Sequence, residues 1–254
     1  YEIYERLVGS EMCIRDRGCT SASPWLVDRG NKKEKRKCME IIIRQELPEE
    51  YWETEYMTKK AFWNLHFPGC NEHYLVHRLR SDKAYIPELS RVAVADGKIV
   101  GTIMYSAARI EGAEGSSNEV LCFGPLCVDP AMQNMGIGGL LLNTTMQLAR
   151  EEGYPGIVIF GEPGYYPKFG FQTCDHYGIT TAEGKNFDAF MGIELVPGGL
   201  RSMPGRFFEA EVFESLTEEE TEAFDKGFPY MEKLRLPGQW DYDAGTKQKD
   251  GEEA

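Results

Sequence analysis

The chain has 254 residues, of which 42% are hydrophobic and 27% charged, with a formal net charge of −13. This composition suits one globular domain with appendages. No stretch reaches the roughly eighteen consecutive apolar residues of a membrane-spanning helix, so we expect no membrane partner. The acidic charge disfavours a nucleic-acid-binding protein. Seven cysteines without a disulfide or metal-ligand spacing, and no recognisable secretory signal, predict reduced thiols and a cytoplasmic location.

Residues 1–38 differ from the rest of the chain. They hold nine Lys or Arg and six Asp or Glu, including the charge run Lys32–Lys37, and show no sustained hydrophobic period. The segment LVGSEMCIRDR resembles peptides obtained when sequencing-adapter DNA is translated. We therefore expect residues 1–38 to be a non-native or disordered extension that precedes a true start at Met39; a basic arm for nucleic acid or membrane is the alternative.

From Met39 the pattern is regular. Ile41–Ile43 predicts a short strand, and a helix opens at Pro48, because proline and acidic residues favour the first turn. A second helix runs to Leu79. The predicted apolar face of the first helix is aromatic and consists of Tyr51, Trp52, Tyr56, Phe62 and Trp63.

The middle of the chain predicts strands and one long helix. Strands Leu89–Ala95 and Ile99–Ala107 are joined by Asp96-Gly97, a strong hairpin signal. After a Gly/Ser-rich loop, Glu119–Val128 is the next strand. A helix with regular apolar spacing then ends near Gly153, and the fully apolar run 156–160 predicts a strand buried on both faces.

The predicted domain, residues 39–196, ends with a strand at Phe187–Leu195. Residues 197–254 form a predicted C-terminal appendage with an acidic, partly disordered tail. Within it, Ser215–Phe224 predicts a helix with Thr217 as its N-cap.

A glycine-bearing turn between Val128 and the long helix is the strongest functional signal. Free backbone N–H groups at a helix N-terminus bind phosphate oxygens. A P-loop is excluded because Gly139 is followed by Leu140 rather than Lys. A dinucleotide fingerprint is excluded because the position of its third glycine is Leu141.

Three blocks carry a family resemblance: Gly124–Pro130, Gln133-x-x-Gly136-x-Gly138, and Tyr165–Phe171. In this order they resemble the GNAT superfamily of acyl-CoA-dependent N-acetyltransferases. The resemblance implies an α/β fold, with a mixed central sheet that contains a splayed pair of parallel strands and has helices on both faces. Gly124-Pro125 lies where a bulge would splay the strand, since Pro lacks a ladder donor.

The resemblance also implies a reaction. An acetyl group would pass from acetyl-CoA, as co-substrate, to a primary amine by direct attack in a ternary complex. The amine would be a small molecule or a peptide, and a homodimer is left open. The alternatives are an acyl-CoA sensor of the same fold and an acyltransferase for longer acyl groups. The implied cofactor contacts are largely main-chain groups: Leu126, Cys127 and Val128 for pantetheine, and Gln133, Asn134, Met135, Gly136, Ile137, Gly138 and Gly139 for the pyrophosphate loop.

The catalytic residues implied are fewer. Tyr166, four residues before Gly170, matches the family tyrosine that protonates the departing thiolate, with Tyr165 as the alternative. An asparagine that many relatives have ahead of this tyrosine is missing. Glu119 is the predicted proton relay for the amine; Glu88 and Glu162 are alternatives, and so is proton loss to bulk water.

We expect no metal site. His73 and His77 share a helix face but have no apparent third ligand, which favours a solvated or capping role over a substrate contact. Cys122 and Cys127, five apart on a strand, are predicted to point to opposite faces.

Overall fold

The computed structural model describes residues 39–239. The predicted N-terminal extension and the last twelve residues, predicted to be disordered, lie outside this range. The described part has four α-helices and nine strands, which we number in chain order: β1 Ile41–Arg44, α1 Tyr51–Phe62, α2 Glu72–Leu79, β2 Arg91–Ala95, β3 Lys98–Glu111, β4 Ser117–Val128, α3 Ile137–Glu151, β5 Gly156–Phe160, β6 Gln172–Thr173, β7 Ile179–Thr180, β8 Phe190–Glu194, β9 Gly205–Phe208 and α4 Glu218–Asp225.

All nine strands belong to one mixed sheet, in the order β1-β2-β3-β4-β5-β8-β6, with β9 on β3 and β7 on β9. Its pairs are antiparallel except β4 with β5 and β7 with β9. Helix α3 packs its buried residues against one face, and α1 and α2 cover the other. The predicted α/β architecture with helices on both faces is therefore confirmed.

Three predictions from short sequence segments are confirmed: a hairpin, a helix N-cap and a buried strand. Asp96 and Gly97 both have positive φ, 46° and 75°, as the tight β2–β3 hairpin requires. The Thr217 side chain accepts a hydrogen bond from the Glu220 N–H at 3.2 Å and caps α4. Residues Gly156 to Ile159 of β5 are all buried, as its uninterrupted apolar run predicts.

The predicted apolar face of α1 is wrong. The buried residues of this helix are Thr54, Glu55, Met57, Thr58 and Lys59, whereas Trp52 is 50% exposed. The aromatic side chains are instead used against the C-terminal segment. The Trp52 ring stacks on Phe228 at 5.7 Å, and the indole N–H of Trp63 donates to the Glu232 carbonyl at 2.8 Å.

The prediction that the last strand lies at Phe187–Leu195 is also wrong, because β9 follows it. Phe207 and Phe208 of β9 pair with Ile110 and Arg109 of β3. The segment that the sequence suggested was an appendage thus contributes a strand to the central sheet. Its position was hidden from sequence reasoning because β9 pairs with a strand almost a hundred residues earlier.

A bulge in β4 corrects a third prediction. Two residues of β4, Gly124 and Pro125, lie opposite the single residue Met104 of β3, which confirms the predicted bulge. The extra residue shifts the alternation of side chains. Cys122 and Cys127 therefore pair with Ser106 and Thr102, four apart on β3, and both lie on the same face of the sheet.

The C-terminal segment is anchored by a buried lysine. Lys59 of α1 is 0% exposed, and its ammonium lies 2.6 Å from Asp225 Oδ1. The ammonium also donates to the Pro229 carbonyl at 3.1 Å and lies 4.5 Å from the centre of the Trp63 ring. His73 of α2 lies 3.3 Å from the same Asp225 oxygen; burial lowers the pKa of His73, so that its ring is neutral near pH 7.

We expect Asp225→Asn to lower the free energy of unfolding by about 3 kcal/mol, because it leaves the Lys59 ammonium buried without its counter-charge. Urea denaturation of the purified chain measures this change. The matched control is Glu222→Gln, which removes the exposed ion pair with Lys233 and should leave the denaturation midpoint unchanged. Equal midpoints for the two variants would contradict the anchoring role of Lys59.

Candidate active site

Strands β4 and β5 separate from each other along their length. Their parallel pairing has a single register pair, Leu121 with Ile157. Beyond it, β4 stays paired with β3 as far as Val128, but its other edge has no partner in β5. The bulge at Gly124-Pro125 lies in this diverging part of β4. The sheet therefore has an opening between β4 and β5 on the carboxyl side of Leu121, as the splayed pair predicts.

The three residues predicted to contact pantetheine line one edge of this opening through their main chain. Leu126, Cys127 and Val128 form the end of β4 and pair with β3 on the opposite edge. The Cys127 side chain is in the core, where its thiol lies 3.6 Å from the Thr58 hydroxyl of α1. The side chain and the backbone of Cys127 thus have separate environments, so packing does not compete with a main-chain contact to a ligand.

The predicted pyrophosphate loop follows directly. Asn134 and Gly136 have positive φ, 62° and 83°, and Gly136 is the N-cap of α3. The first hydrogen bond of the helix runs from the Leu140 N–H to the Gly136 carbonyl at 3.0 Å. The N–H groups of the three preceding residues therefore have no acceptor within the helix. The Gln133 side chain donates to the Val128 carbonyl at 3.3 Å and connects the loop to β4.

Tyr165 and Phe169, from the turn that precedes β6, lie over this loop. A Cβ atom at Gly138 would be only 2.8 Å from the Tyr165 hydroxyl, and one at Gly139 would be 3.2 Å from the Phe169 ring. The Lys168 ammonium lies 4.0 Å from the centre of the Tyr165 ring. Gly138 and Gly139 permit this close approach because they have no side chains, and the lysine of the turn lies over the Tyr165 ring.

Tyr166 has a different position from Tyr165. Its ring packs against Phe123 of β4 and Phe171, with centroid distances of 5.8 and 5.5 Å, on the α3 face of the sheet. Within residues 39–239 its hydroxyl has no hydrogen-bond partner. Burial raises the pKa of Tyr166 above its usual range, so the phenol keeps its proton near pH 7.

The predicted proton acceptors do not gather at the opening. Glu119 is exposed at the start of β4, where it lies opposite Arg109. It precedes by two residues Leu121, the residue of β4 that pairs with β5. It lies five residues, or about 17 Å along the strand, from Gly124. Glu88 and Glu162 are exposed; a Glu162 oxygen accepts from the Gly164 N–H at 3.2 Å. The structure therefore does not bring Glu119 together with Tyr166.

The histidine pair is divided between two environments. His73 is fully buried beside Asp225, whereas the exposed ring of His77 lies 3.1 Å from Glu55. Across residues 39–239 no group of three His, Cys, Asp or Glu side chains is arranged to hold a metal ion. The four cysteines in this range are free and buried. Nor does any helix there have the length and apolar character needed to cross a membrane.

Sequence reasoning missed the part of the C-terminal segment that lies over the opening. Phe213 approaches β4 at the bulge, where a Cβ atom at Gly124 would lie 3.1 Å from its ring. Glu209, half-buried, follows β9 directly. No local motif distinguishes Glu209 from the other acidic residues nearby, so only the fold brings it to the site.

Comparison with known sequences supports this geometry. The family model described as "Acetyltransferase (GNAT) domain" matches residues 88–173, which include β4, the loop and α3. Uncharacterized N-acetyltransferase YjhQ of Escherichia coli is 37% identical over 108 residues, covering 42% of this chain and 59% of that protein. Uncharacterized N-acetyltransferase YhbS of the same species is 25% identical over 166 residues, covering 65% of this chain and 93% of that protein.

Solved structures agree in fold. The crystal structure of E. coli YhbS in complex with CoA is similar with a TM-score of 0.62 at 24% identity, covering 71% of this chain and 95% of that one. A GNAT family acetyltransferase from Brucella melitensis, in complex with acetyl-CoA, gives a TM-score of 0.55 at 29% identity, covering 68% and 97%. With the split strands and the glycine loop, the chain has the fold of these GNAT acetyltransferase structures, and its residues 88–173 match the GNAT acetyltransferase domain.

Proposed function

We propose that this protein transfers an acetyl group from acetyl-CoA to a primary amine by direct attack within a ternary complex. The observation that carries the proposal is the split between β4 and β5 beside an α-helix whose first N–H groups lack helical acceptors. The split leaves main-chain groups of β4 available to a thin, extended ligand such as pantetheine. The N–H groups at the start of α3 suit its pyrophosphate.

The net charge of the chain supports a local binding mode for this ligand. A body with a formal charge of −13 repels a polyanion at long range. Backbone N–H groups from Asn134 to Gly139 can bind phosphate oxygens without added positive charge. The Lys168 ammonium lies over the Tyr165 ring, whose hydroxyl approaches Gly138 of the same loop. The two relatives crystallised with CoA or acetyl-CoA support an acyl-CoA as the donor.

In this proposal Tyr166 is the acid that protonates the thiolate when the C–S bond breaks. Its support is the position of the ring against Phe123, in the diverging part of β4, and a hydroxyl without a partner in residues 39–239. Tyr165, whose hydroxyl is directed at Gly138, suits a contact with the pyrophosphate loop better. A proton relay through Glu119 stays a prediction.

The first test is calorimetric titration of the full chain with acetyl-CoA and with CoA, followed by a panel of primary amines assayed for released thiol. We expect micromolar dissociation constants and thiol release that depends on an amine. Binding of acetyl-CoA without turnover on any amine would contradict the transfer reaction. A failure of the folded chain to bind either ligand would contradict the site itself.

A further inference from the structure

The C-terminal segment crosses the sheet at the opening, on the face opposite α3. β9 adds to the edge of β3 at Arg109–Glu111, and the chain then turns toward β4. Val212 packs with Met104 of β3, and the Phe213 ring approaches Gly124. Met104 is the residue opposite the bulge. Val212 and Phe213 therefore lie over the part of β4 that diverges from β5.

Glu209 is the carboxylate that this segment places there. The thiol of Cys122 lies close enough for the two groups to interact: burial raises the pKa of Cys122, and the charge of Glu209 raises it further. Cys122 is the residue directly after Leu121, the last residue of β4 that pairs with β5. Glu209 is thus adjacent to the beginning of the split rather than to a distant surface.

The Glu209 carboxylate is half-buried. Within residues 39–239 neither of its oxygens makes a hydrogen bond or an ion pair. At the same level of the sheet, the hydroxyl of Ser106, the register partner of Cys122, is buried without a hydrogen-bond partner. Unsatisfied polar groups in a sheet interior are unfavourable unless a ligand or water completes them.

Glu209 and Tyr166 approach the split from opposite faces. Tyr166 packs with the α3-side core at Phe123, whereas Cys122, one residue earlier, faces the other side with Ala108 and Val158. The charge of Glu209 acts on the Cys122 thiol, and that thiol in turn acts on Tyr166, so both groups are near this part of β4. This arrangement separates a proton acceptor on one face from a proton donor on the other.

Such a pair suits the chemistry of amine acetylation. An alkylamine is an ammonium near pH 7, and it must lose a proton before its lone pair can attack. Burial, and to a smaller extent the charge of Glu214, raise the pKa of Glu209 to about 7. Glu214 is the charged group that acts on this carboxylate, and the carboxylate itself acts on the Cys122 thiol.

We propose that Glu209 binds the acceptor ammonium and is the general base of the transfer reaction; this inference rests on the function proposed above. The Glu209 carboxylate takes one proton from R–NH3⁺, and the free amine forms the N–C bond with the thioester carbonyl. When the C–S bond breaks, sulfur takes the Tyr166 proton, and Tyr166 regains a proton from the nitrogen. Glu209 returns its proton to solvent, so that the products are the amide, CoA thiol and one released proton.

Glu209→Gln on the full chain tests this role because it keeps the size of the side chain and removes the base. The wild-type kcat/KM should rise with pH through about 7, since the carboxylate must lose its proton to act. In the variant we expect kcat/KM to fall by about 10²-fold at pH 7 and to show no rise with pH near 7. The fall should be smaller at pH 9 to 10, where more of the amine is unprotonated. Acetyl-CoA binding, measured by calorimetry, should not change.

Two further variants make the result specific. Glu214→Gln removes the charge that helps to raise the pKa of Glu209, so the rise of kcat/KM with pH should move to lower pH. Glu119→Gln tests the acid at the start of β4. The proposal would be overturned if the rise of kcat/KM near pH 7 were lost in Glu119→Gln and retained in Glu209→Gln. If Glu209→Gln does not bind acetyl-CoA, the pH profile of Glu214→Gln becomes the test. A rise of kcat/KM at the same pH as in the wild type would then overturn the proposal.

Failure of the underlying function has a different signature. If the wild-type chain binds acetyl-CoA but acetylates no amine, both the transfer reaction and the role of Glu209 are contradicted. If the wild-type chain acetylates an amine and Glu209→Gln has the same pH profile of kcat/KM, only the role of Glu209 is contradicted.

Discussion

Replacing Tyr166 by Phe is expected to reduce kcat by about 10²–10⁴-fold while acetyl-CoA binding stays unchanged. The substitution removes only the hydroxyl, and the ring contacts with Phe123 and Phe171 are kept. The raised pKa of Tyr166 keeps the phenol protonated below about pH 9, so the wild-type kcat should show no limb from this group in that range. Steady-state kinetics and calorimetry of the same preparation measure both quantities.

Tyr165→Phe is the matched comparison, because the two tyrosines are neighbours with perpendicular rings 5.1 Å apart. The Tyr165 hydroxyl is directed at Gly138, so we expect its removal to act on KM for acetyl-CoA more than on kcat. A large kcat loss in Tyr165→Phe together with a normal kcat in Tyr166→Phe would reverse the assignment of the acid.

Gly136→Glu is expected to weaken acetyl-CoA binding by at least about 100-fold, or about 2.7 kcal/mol. Gly136 has φ of 83°, which a residue with a side chain adopts with strain, and it is the N-cap of α3. The added carboxylate also places a negative charge where the pyrophosphate is proposed to bind. A Cβ atom at this position would contact nothing within 4 Å, so the effect reports backbone and charge rather than packing.

The chain offers a close control in Gly153, beyond the other end of the same helix. Gly153 has φ of 81°, and a Cβ atom there would also contact nothing within 4 Å. Gly153→Glu therefore introduces the same charge and a similar backbone strain away from the loop. Equal acetyl-CoA affinities for the Gly136 and Gly153 variants, measured by calorimetry, would contradict phosphate binding at the start of α3.

Sequence reasoning was most successful where a short segment carries its own physical requirement. The hairpin at Asp96-Gly97 needs two residues that tolerate positive φ, and the bulge follows from a Gly-Pro pair in a strand. It was less successful for α1. The apolar pattern there suggested an aromatic core face, but the helix buries Lys59, since Asp225, far along the chain, supplies the counter-charge.

The resemblance to the GNAT superfamily and the order of strand, glycine loop and helix follow from the sequence alone, because they depend on contiguous residues with local backbone requirements. The environment of each catalytic candidate was decided by the tertiary structure. Glu119 looks favourable in sequence because it begins β4, yet it lies before the split. Glu209 has no distinguishing neighbours in sequence, yet the pairing of β9 with β3 places it beside Cys122. Burial and nearby charge, which set the pKa of a carboxylate, arise from contacts between distant segments.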